Sequence, residues 1–201
     1  MKLYYATGTC ALSPHIALIE AGLPFEARHV SLKTHTLADG SDYYAINPKG
    51  YVPTLEFEDG DRLTEGPAIV QWIADQAPAK RLAPPAGTRE RYRLLEWLNF
   101  ITAELHKGYG FLFNPAIAEE AKALVSTRLV ERYRFVDQRL ADVPFLMGED
   151  FTVADGYLFT VTRWAEPLKV DLSAYRHLHA FMQRVAARPS VQQALREEGI
   201  K

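Results

Sequence analysis

Lys2-Leu3-Tyr4-Tyr5-Ala6-Thr7-Gly8-Thr9-Cys10-Ala11-Leu12 contains a change of period that sets the fold of the first half of the chain. Residues 2–6 are a short, mostly apolar run that predicts a strand, and Thr7-Gly8-Thr9 breaks it. Beyond Ala11 the apolar residues Leu12, Ile16, Leu18 and Ile19 fall at helical spacing as far as Gly22, a residue type that commonly ends helices. Cys10, the only cysteine, stands where strand gives way to helix. A thiol there faces the positive end of the helix dipole and its unpaired backbone N–H groups, which stabilise a thiolate or a sulfur-bearing ligand. A lone cysteine also serves elsewhere as a small buried hydrophobe, and the sequence leaves both readings open. One cysteine allows no internal disulfide, which fits a reducing compartment, and only Lys2 is charged ahead of it, so no export signal is expected and the cytoplasm is the expected location.

Outward from this segment, Phe25–Leu32 predicts a second strand. Residues 33–50 are polar and rich in turn formers, with room for one short helix. Val52–Glu58, Asp59-Gly60-Asp61 and Arg62–Thr64 then read as strand, tight turn and strand, and Glu65-Gly66-Pro67 opens a helix running to about Ala77. The order is β-α-β followed by β-β-α. Prolines and glycine between Pro78 and Thr88 disfavour helix and mark a linker over 79–88.

Beyond the linker every long segment has helical spacing. Arg89–Tyr109 carries Tyr92, Leu95, Leu98, Ile101 and Leu105, and Ala118–Leu140 repeats the pattern. Phe151-Thr152-Val153-Ala154-Asp155 is a capping box that starts a further helix. The expected class is α/β plus all-α: an α/β domain over 1–78, the linker, and a helical domain over 89–201. In a chain of 201 residues the 48% hydrophobic content supports sizeable cores, and no apolar run approaches the ~20 residues of a membrane span. A net charge of −2 without basic blocks argues against nucleic acid or an anionic membrane as partner.

In Gly8-Thr9-Cys10, Asn47-Pro48-Lys49-Gly50-Tyr51-Val52-Pro53, Leu63-Thr64-Glu65-Gly66, Glu96-Trp97-Leu98-Asn99, Glu104-Leu105-His106-Lys107 and Phe151–Asp155, taken in order, the whole chain resembles the bacterial glutathione transferases of the beta class. The resemblance implies a thioredoxin-like N-terminal domain that binds glutathione, a helical-bundle C-terminal domain that shapes the pocket for a small hydrophobic electrophile, and a homodimer. Glutathione is then a co-substrate and no other cofactor is expected.

The resemblance also implies roles for particular residues. The Val52–Pro53 bond is expected to be cis, with the Val52 backbone pairing to the cysteinyl part of glutathione as a short antiparallel strand would. Glu65 and Gly66 meet the γ-glutamyl group, the carboxylate facing its ammonium and the helix-end N–H its carboxylate. Gly66 stands where relatives often have a hydroxyl, and His35 where they often have lysine for the glycyl carboxylate. Asn99 and Glu104 are expected to act across the dimer, Glu104 as a second carboxylate for the ammonium. Beside the sulfur the candidates are Cys10, then His106 with Lys107 as a partly cationic pair, then Tyr5 as a hydroxyl donor. Tyr109, Phe111, Phe113 and Trp164 are expected to line the apolar pocket. Cys10-Ala11-Leu12-Ser13 further resembles a dithiol motif whose second cysteine has become serine, so glutathione-dependent disulfide reduction through Cys10, and carriage of hydrophobic ligands without catalysis, are the competing functions.

Overall fold

Among the described residues five strands, β1 (Lys2–Tyr5), β2 (Glu26–Ser31), β3 (Thr36–Leu37), β4 (Thr54–Glu56) and β5 (Arg62–Thr64), form one sheet in the order β3-β2-β1-β4-β5. The computed structural model describes residues 1–200. Only β1 and β2 run parallel, because the helix α1 (Leu12–Ala21) carries the chain between them; the remaining pairs are antiparallel. Gly22 ends α1 with a left-handed φ of 70°, and the Gly22 and Leu23 N–H groups close on the carbonyls of Ile19 and Leu18. After β5 the helix α2 (Gly66–Gln76) completes the expected β-α-β and β-β-α order. The polar stretch between β2 and β4 holds the short edge strand β3 and one 3₁₀ turn, Tyr43–Ala45.

The helical unit holds α3 (Arg89–Phe100), α4 (Lys107–Phe113), α5 (Glu119–Asp142), α6 (Val153–Thr162) and α7 (Arg176–Ala186). Thr88 starts α3 by accepting the Arg91 N–H on its hydroxyl. The expected single helix over 89–109 is in fact α3 and α4 joined through a π-helical segment, Ile101–His106. Such widened turns are rare and occur often at functional sites. α4 approaches α5 closely at Gly108, where a Cβ would stand 2.8 Å from Leu129 Cδ2. α6 is buried along its whole length, and its first turn is set by Asp155, whose carboxylate accepts the N–H groups of Leu146 and Thr152, each at 2.8 Å.

The compact units are Met1–Ala83 with the chain from Arg188 onward, and Pro84–Ala187. This corrects the expected division at one point: the last helix, α8 (Pro189–Glu197), belongs with the sheet unit and not with the helical one. It buries Val191, Ala194 and Leu195 and packs on α1. Arg188 Nε and Ser190 Oγ both donate to Glu20 at 2.6 Å, while Glu197 and Glu198 meet His15 at 2.8 and 3.1 Å. α1 therefore has sheet-unit helices on two sides, which explains why even its polar residues Ser13 and His15 are buried.

Candidate functional site

In the sheet unit the residues singled out by sequence converge at the C-terminal end of β1 and the approach to β4. The turn after β1 is held from two directions: Thr9 Oγ1 donates to the Ala6 carbonyl at 2.7 Å, and the Gly8 N–H donates to Glu198 Oε2 at 3.2 Å. Cys10 is partly exposed, takes part in no disulfide, and its Sγ donates to the Val52 carbonyl at 3.4 Å. The Val52–Pro53 bond is cis. Val52 O has capacity for a second donor, and no acceptor for Val52 N–H occurs among the described residues. Both backbone groups can therefore meet an extended peptide.

Two residues hold that segment in place and were not singled out by sequence. Tyr43, wholly buried, donates to the Tyr51 carbonyl at 2.9 Å and shares a hydrogen bond with Thr54 at 2.8 Å. Asn47 donates to the same Tyr51 carbonyl at 2.7 Å and to Thr54 at 3.3 Å. Asn47 stood inside a quoted motif without a role; an asparagine just before Pro48 was the signal available.

Glu65 precedes α2 with φ 71° and ψ 109°, an uncommon conformation for a residue with a Cβ. Its side chain is exposed and pairs with Lys49 Nζ, which also donates to Thr64 Oγ1 at 2.9 Å. The Ala68 and Ile69 N–H groups fold back on the Glu65 carbonyl and Pro67 has none, so the Gly66 N–H is left to meet an anion at the positive end of the helix. A Cβ at Gly66 would stand 4.0 Å from Pro53 Cγ, an ordinary van der Waals distance. His35 has φ 53° and its ring packs on Tyr44 at 4.6 Å; its Nδ1 is buried with no partner, and no protein partner for Nε2 occurs among the described residues. Tyr5 lies against the rings of His15 and His29, and burial, with the carboxylates of Glu198 and Glu197, raises its pKa. A phenol so placed is a poorer proton donor than a free one, which weakens the expectation for Tyr5.

In the helical unit the structure departs further from expectation. Asn99 is exposed on α3. Glu104 is not an open carboxylate: its Oε2 accepts from Arg132 Nε at 2.6 Å and from Arg128 Nη2 at 3.0 Å, and these two arginines hold its pKa below the ordinary range. Tyr109 is not a lining residue. It is wholly buried and its hydroxyl donates to Tyr133, which shares a further hydrogen bond with Thr162. Phe111 and Phe113 are about half exposed, and Phe113 stands edge-on to the largely buried Trp164 at 5.6 Å. His106 is half-buried, with its Nδ1 2.6 Å from the Tyr157 hydroxyl and its ring 5.0 Å from that of Trp164. Lys107 is exposed and makes no ion pair among the described residues.

Comparison with known proteins agrees with this geometry. The family model for the glutathione S-transferase N-terminal domain matches residues 7–76 and that for the C-terminal domain matches residues 100–189. Glutathione S-transferase GstA of Escherichia coli O157:H7 is 47% identical over 201 residues, covering all of both chains. The solved ternary complex of BphK, a bacterial glutathione transferase, superposes with a TM-score of 0.98 at 52% identity over all of both chains. A sphingomonad glutathione S-transferase complexed with glutathione has a TM-score of 0.96 at 42% identity, again over the whole of each.

Proposed function

The chain belongs to the glutathione S-transferase family, in its bacterial beta class, and we propose that it joins the thiolate of glutathione to small hydrophobic electrophiles, as a homodimer in the cytoplasm. Glutathione is the co-substrate and no further cofactor is assigned. The observation that carries this reading is the pairing, in one unit, of a peptide-like edge at Val52 with a carboxylate and an open helix-end N–H at Glu65 and Gly66. These groups complement a γ-linked tripeptide: Glu65 its ammonium, Gly66 N–H its α-carboxylate, and the Val52 backbone its cysteinyl amide. His35 Nε2 is assigned to the glycyl carboxylate, as a hydrogen-bond donor.

Of the residues expected across a dimer, Asn99 is kept as a ligand contact, since it is exposed on α3. Glu104 is given up, because its charge is already matched by Arg128 and Arg132. Phe113 and Trp164 offer apolar surface for the second substrate. The single cysteine, in no disulfide, supports the cytoplasm.

In the reaction the glutathione sulfur forms a bond to the electrophilic carbon, and the leaving group departs with the electron pair of the broken bond. Cys10 is assigned to thiol binding. Lowering a thiol pKa from ~8.5 to ~6.5 raises the thiolate fraction at neutral pH about 25-fold and weakens each thiolate about 8-fold, a net gain of about threefold. Holding the two substrates in register must supply most of a larger acceleration.

Retention on immobilised glutathione tests the site. Glu65→Ala is expected to lose most of it while keeping the far-ultraviolet circular dichroism of the native chain, since Glu65 is exposed and its partner Lys49 is solvated. Retention undiminished in that variant removes Glu65 from the site.

A further inference from the structure

Within the sheet unit a lysine already sits on the carboxylate assigned to the ligand's ammonium. Asn47 Oδ1 accepts the Lys49 N–H at 3.1 Å, and the Gly50 N–H closes on the Asn47 carbonyl at 2.8 Å. So braced, Lys49 reaches the end of β5 and the start of α2, where its Nζ donates to Thr64 Oγ1 at 2.9 Å and to Glu65 Oε1. Asn47 also donates to the Tyr51 carbonyl next to the Val52 edge, so one side chain braces both the peptide-binding edge and the lysine. Glu65 Oε2 accepts no hydrogen bond among the described residues, so an incoming ammonium either takes that oxygen beside Lys49 or displaces Lys49 from Oε1. Sharing sets two cations on one carboxylate, and displacement breaks both bonds of Lys49 Nζ. The lysine opposes the ligand's ammonium either way. The opposition is small, because the Lys49 and Glu65 side chains are 46% and 72% exposed and solvated ion pairs contribute little.

Resting on the assignment of Glu65 to the ligand's ammonium, we propose that Lys49 is a specificity-determining residue of the γ-glutamyl site: an internal ammonium that competes with the ligand's for Glu65 and lessens the site's dependence on a free α-amine. Contact decides the sign of its effect. Lys49 touches the Glu65 carboxylate itself, whereas the ligand's α-carboxylate is assigned to the Gly66 N–H and is attracted to Lys49 only through screening solvent, so for glutathione the competition outweighs the attraction. For a ligand without the amine the sign reverses. Nothing then competes for Glu65, Lys49 keeps that carboxylate matched, and the ligand's own carboxylate escapes repulsion by an unpaired neighbour.

The experiment is titration calorimetry of the full chain with two ligands, glutathione and the analogue in which hydrogen replaces its α-amine. Lys49→Met and Lys49→Gln are both expected to bind glutathione about threefold tighter than the native chain and the analogue about twofold weaker, so that discrimination between the two rises about sixfold. Lys49→Arg keeps the charge and should discriminate within about twofold of the native chain. Damage to the fold would weaken both ligands together, so opposite changes for the two report the competition itself. Neutral variants that bind glutathione no tighter than the native chain overturn the proposal, as does a discrimination that the loss of the charge leaves unaltered. The premise fails separately: if Glu65→Ala binds glutathione as tightly as the native chain, Glu65 is not the ammonium's partner, whatever the Lys49 variants record.

Discussion

His15 and His106 are the same side chain in two opposite settings. His15 is wholly buried in the sheet unit, between Glu197 at 2.8 Å on Nε2 and Glu198 at 3.1 Å on Nδ1, with the rings of Tyr5 and Phe25 against it. Burial works against the charged ring, and the hydrogen bonds and charges of Glu198 and Glu197 outweigh it, so the pKa is raised. His106 meets a phenol and an indole. The difference teaches that partner chemistry, more than depth, distinguishes the two rings: the sheet unit sets a buried carboxylate and an exposed one on the two nitrogens of His15, and the helical unit fills its interior with hydroxyls. The triad also reaches the site, because Glu198 spends its second oxygen on the Gly8 N–H, two residues before Cys10.

The largest effect that separates the two settings is expected from Glu198→Ala. Removing one partner of a buried pair costs about 3–5 kcal/mol, and here it also leaves the Gly8 N–H without that acceptor. The raised pKa of His15 fixes the pH dependence. Its contribution is complete below the unfolded value of about 6.5 and is lost as pH rises through the folded value. Denaturant unfolding should therefore show a gap between native and variant chains that is wide at pH 6 and narrower at pH 9. A gap independent of pH would mean that His15 is neutral between its two carboxylates.

Asp155 is the nearest thing in the helical unit to a buried ion, and it sharpens the contrast with the opposite test. Burial pushes its pKa up to about 6, against hydrogen bonds from the Leu146 and Thr152 N–H groups and the Thr152 hydroxyl. Asp155→Ala strands two backbone donors, at about 1–3 kcal/mol each, and relieves a carboxylate that the interior resists ionising, for a net loss of about 2 kcal/mol at pH 7. Because the folded pKa lies above the unfolded one, the contribution of Asp155 is complete below about pH 4 and declines as pH rises through about 6. The gap between native and variant chains should thus widen from pH 7 to pH 4 in thermal unfolding. A gap that narrows in acid, as for an ordinary salt-bridged carboxylate, would make Asp155 a charged residue like those around His15.

How far all this can be read in the sequence depends on range. The change of period around Cys10 and the turn residues near Gly60 and Gly66 act locally, and the strand and helix order they predict is the order found. The contacts that altered the picture are distant: Glu198 lies 183 residues from His15, and Arg128 and Arg132 lie 24 and 28 residues beyond Glu104. An amphipathic α8 gives no sign of which unit it will cover, and a carboxylate pair next to the C-terminal end reads as a solvated tail. Likewise the apolar spacing through 89–109 is continuous, so the widened turn that separates α3 from α4 leaves no mark in it. Tyr109 shows the limit for pocket residues, since an aromatic at helical spacing suits a core and a lining equally.

The smallest expected effect tests whether the hydroxyls of the helical unit act as a neutral chain. Tyr109 and Tyr133 are both wholly buried, and burial raises both pKa values, that of Tyr133 to about 12, so each stays protonated. Tyr109 donates to Tyr133 at 3.1 Å, which leaves the Tyr133 proton for Thr162 at 3.0 Å. Tyr133→Phe strands the Tyr109 hydroxyl and should cost about 1.5 kcal/mol, whereas Tyr109→Phe leaves the Tyr133 donation intact and should cost about 0.5 kcal/mol. In the double variant no tyrosine hydroxyl remains to be stranded, so the loss should fall to about 1 kcal/mol, below the sum of the singles. A double-mutant cycle by urea unfolding measures the coupling, and because no charged form takes part it should be the same at pH 6 and pH 9, where the Glu198→Ala gap changes. Additive losses would show that the two tyrosines contribute ring packing alone, and a coupling that changed between those pH values would place a titrating group inside a core that the structure fills with neutral ones.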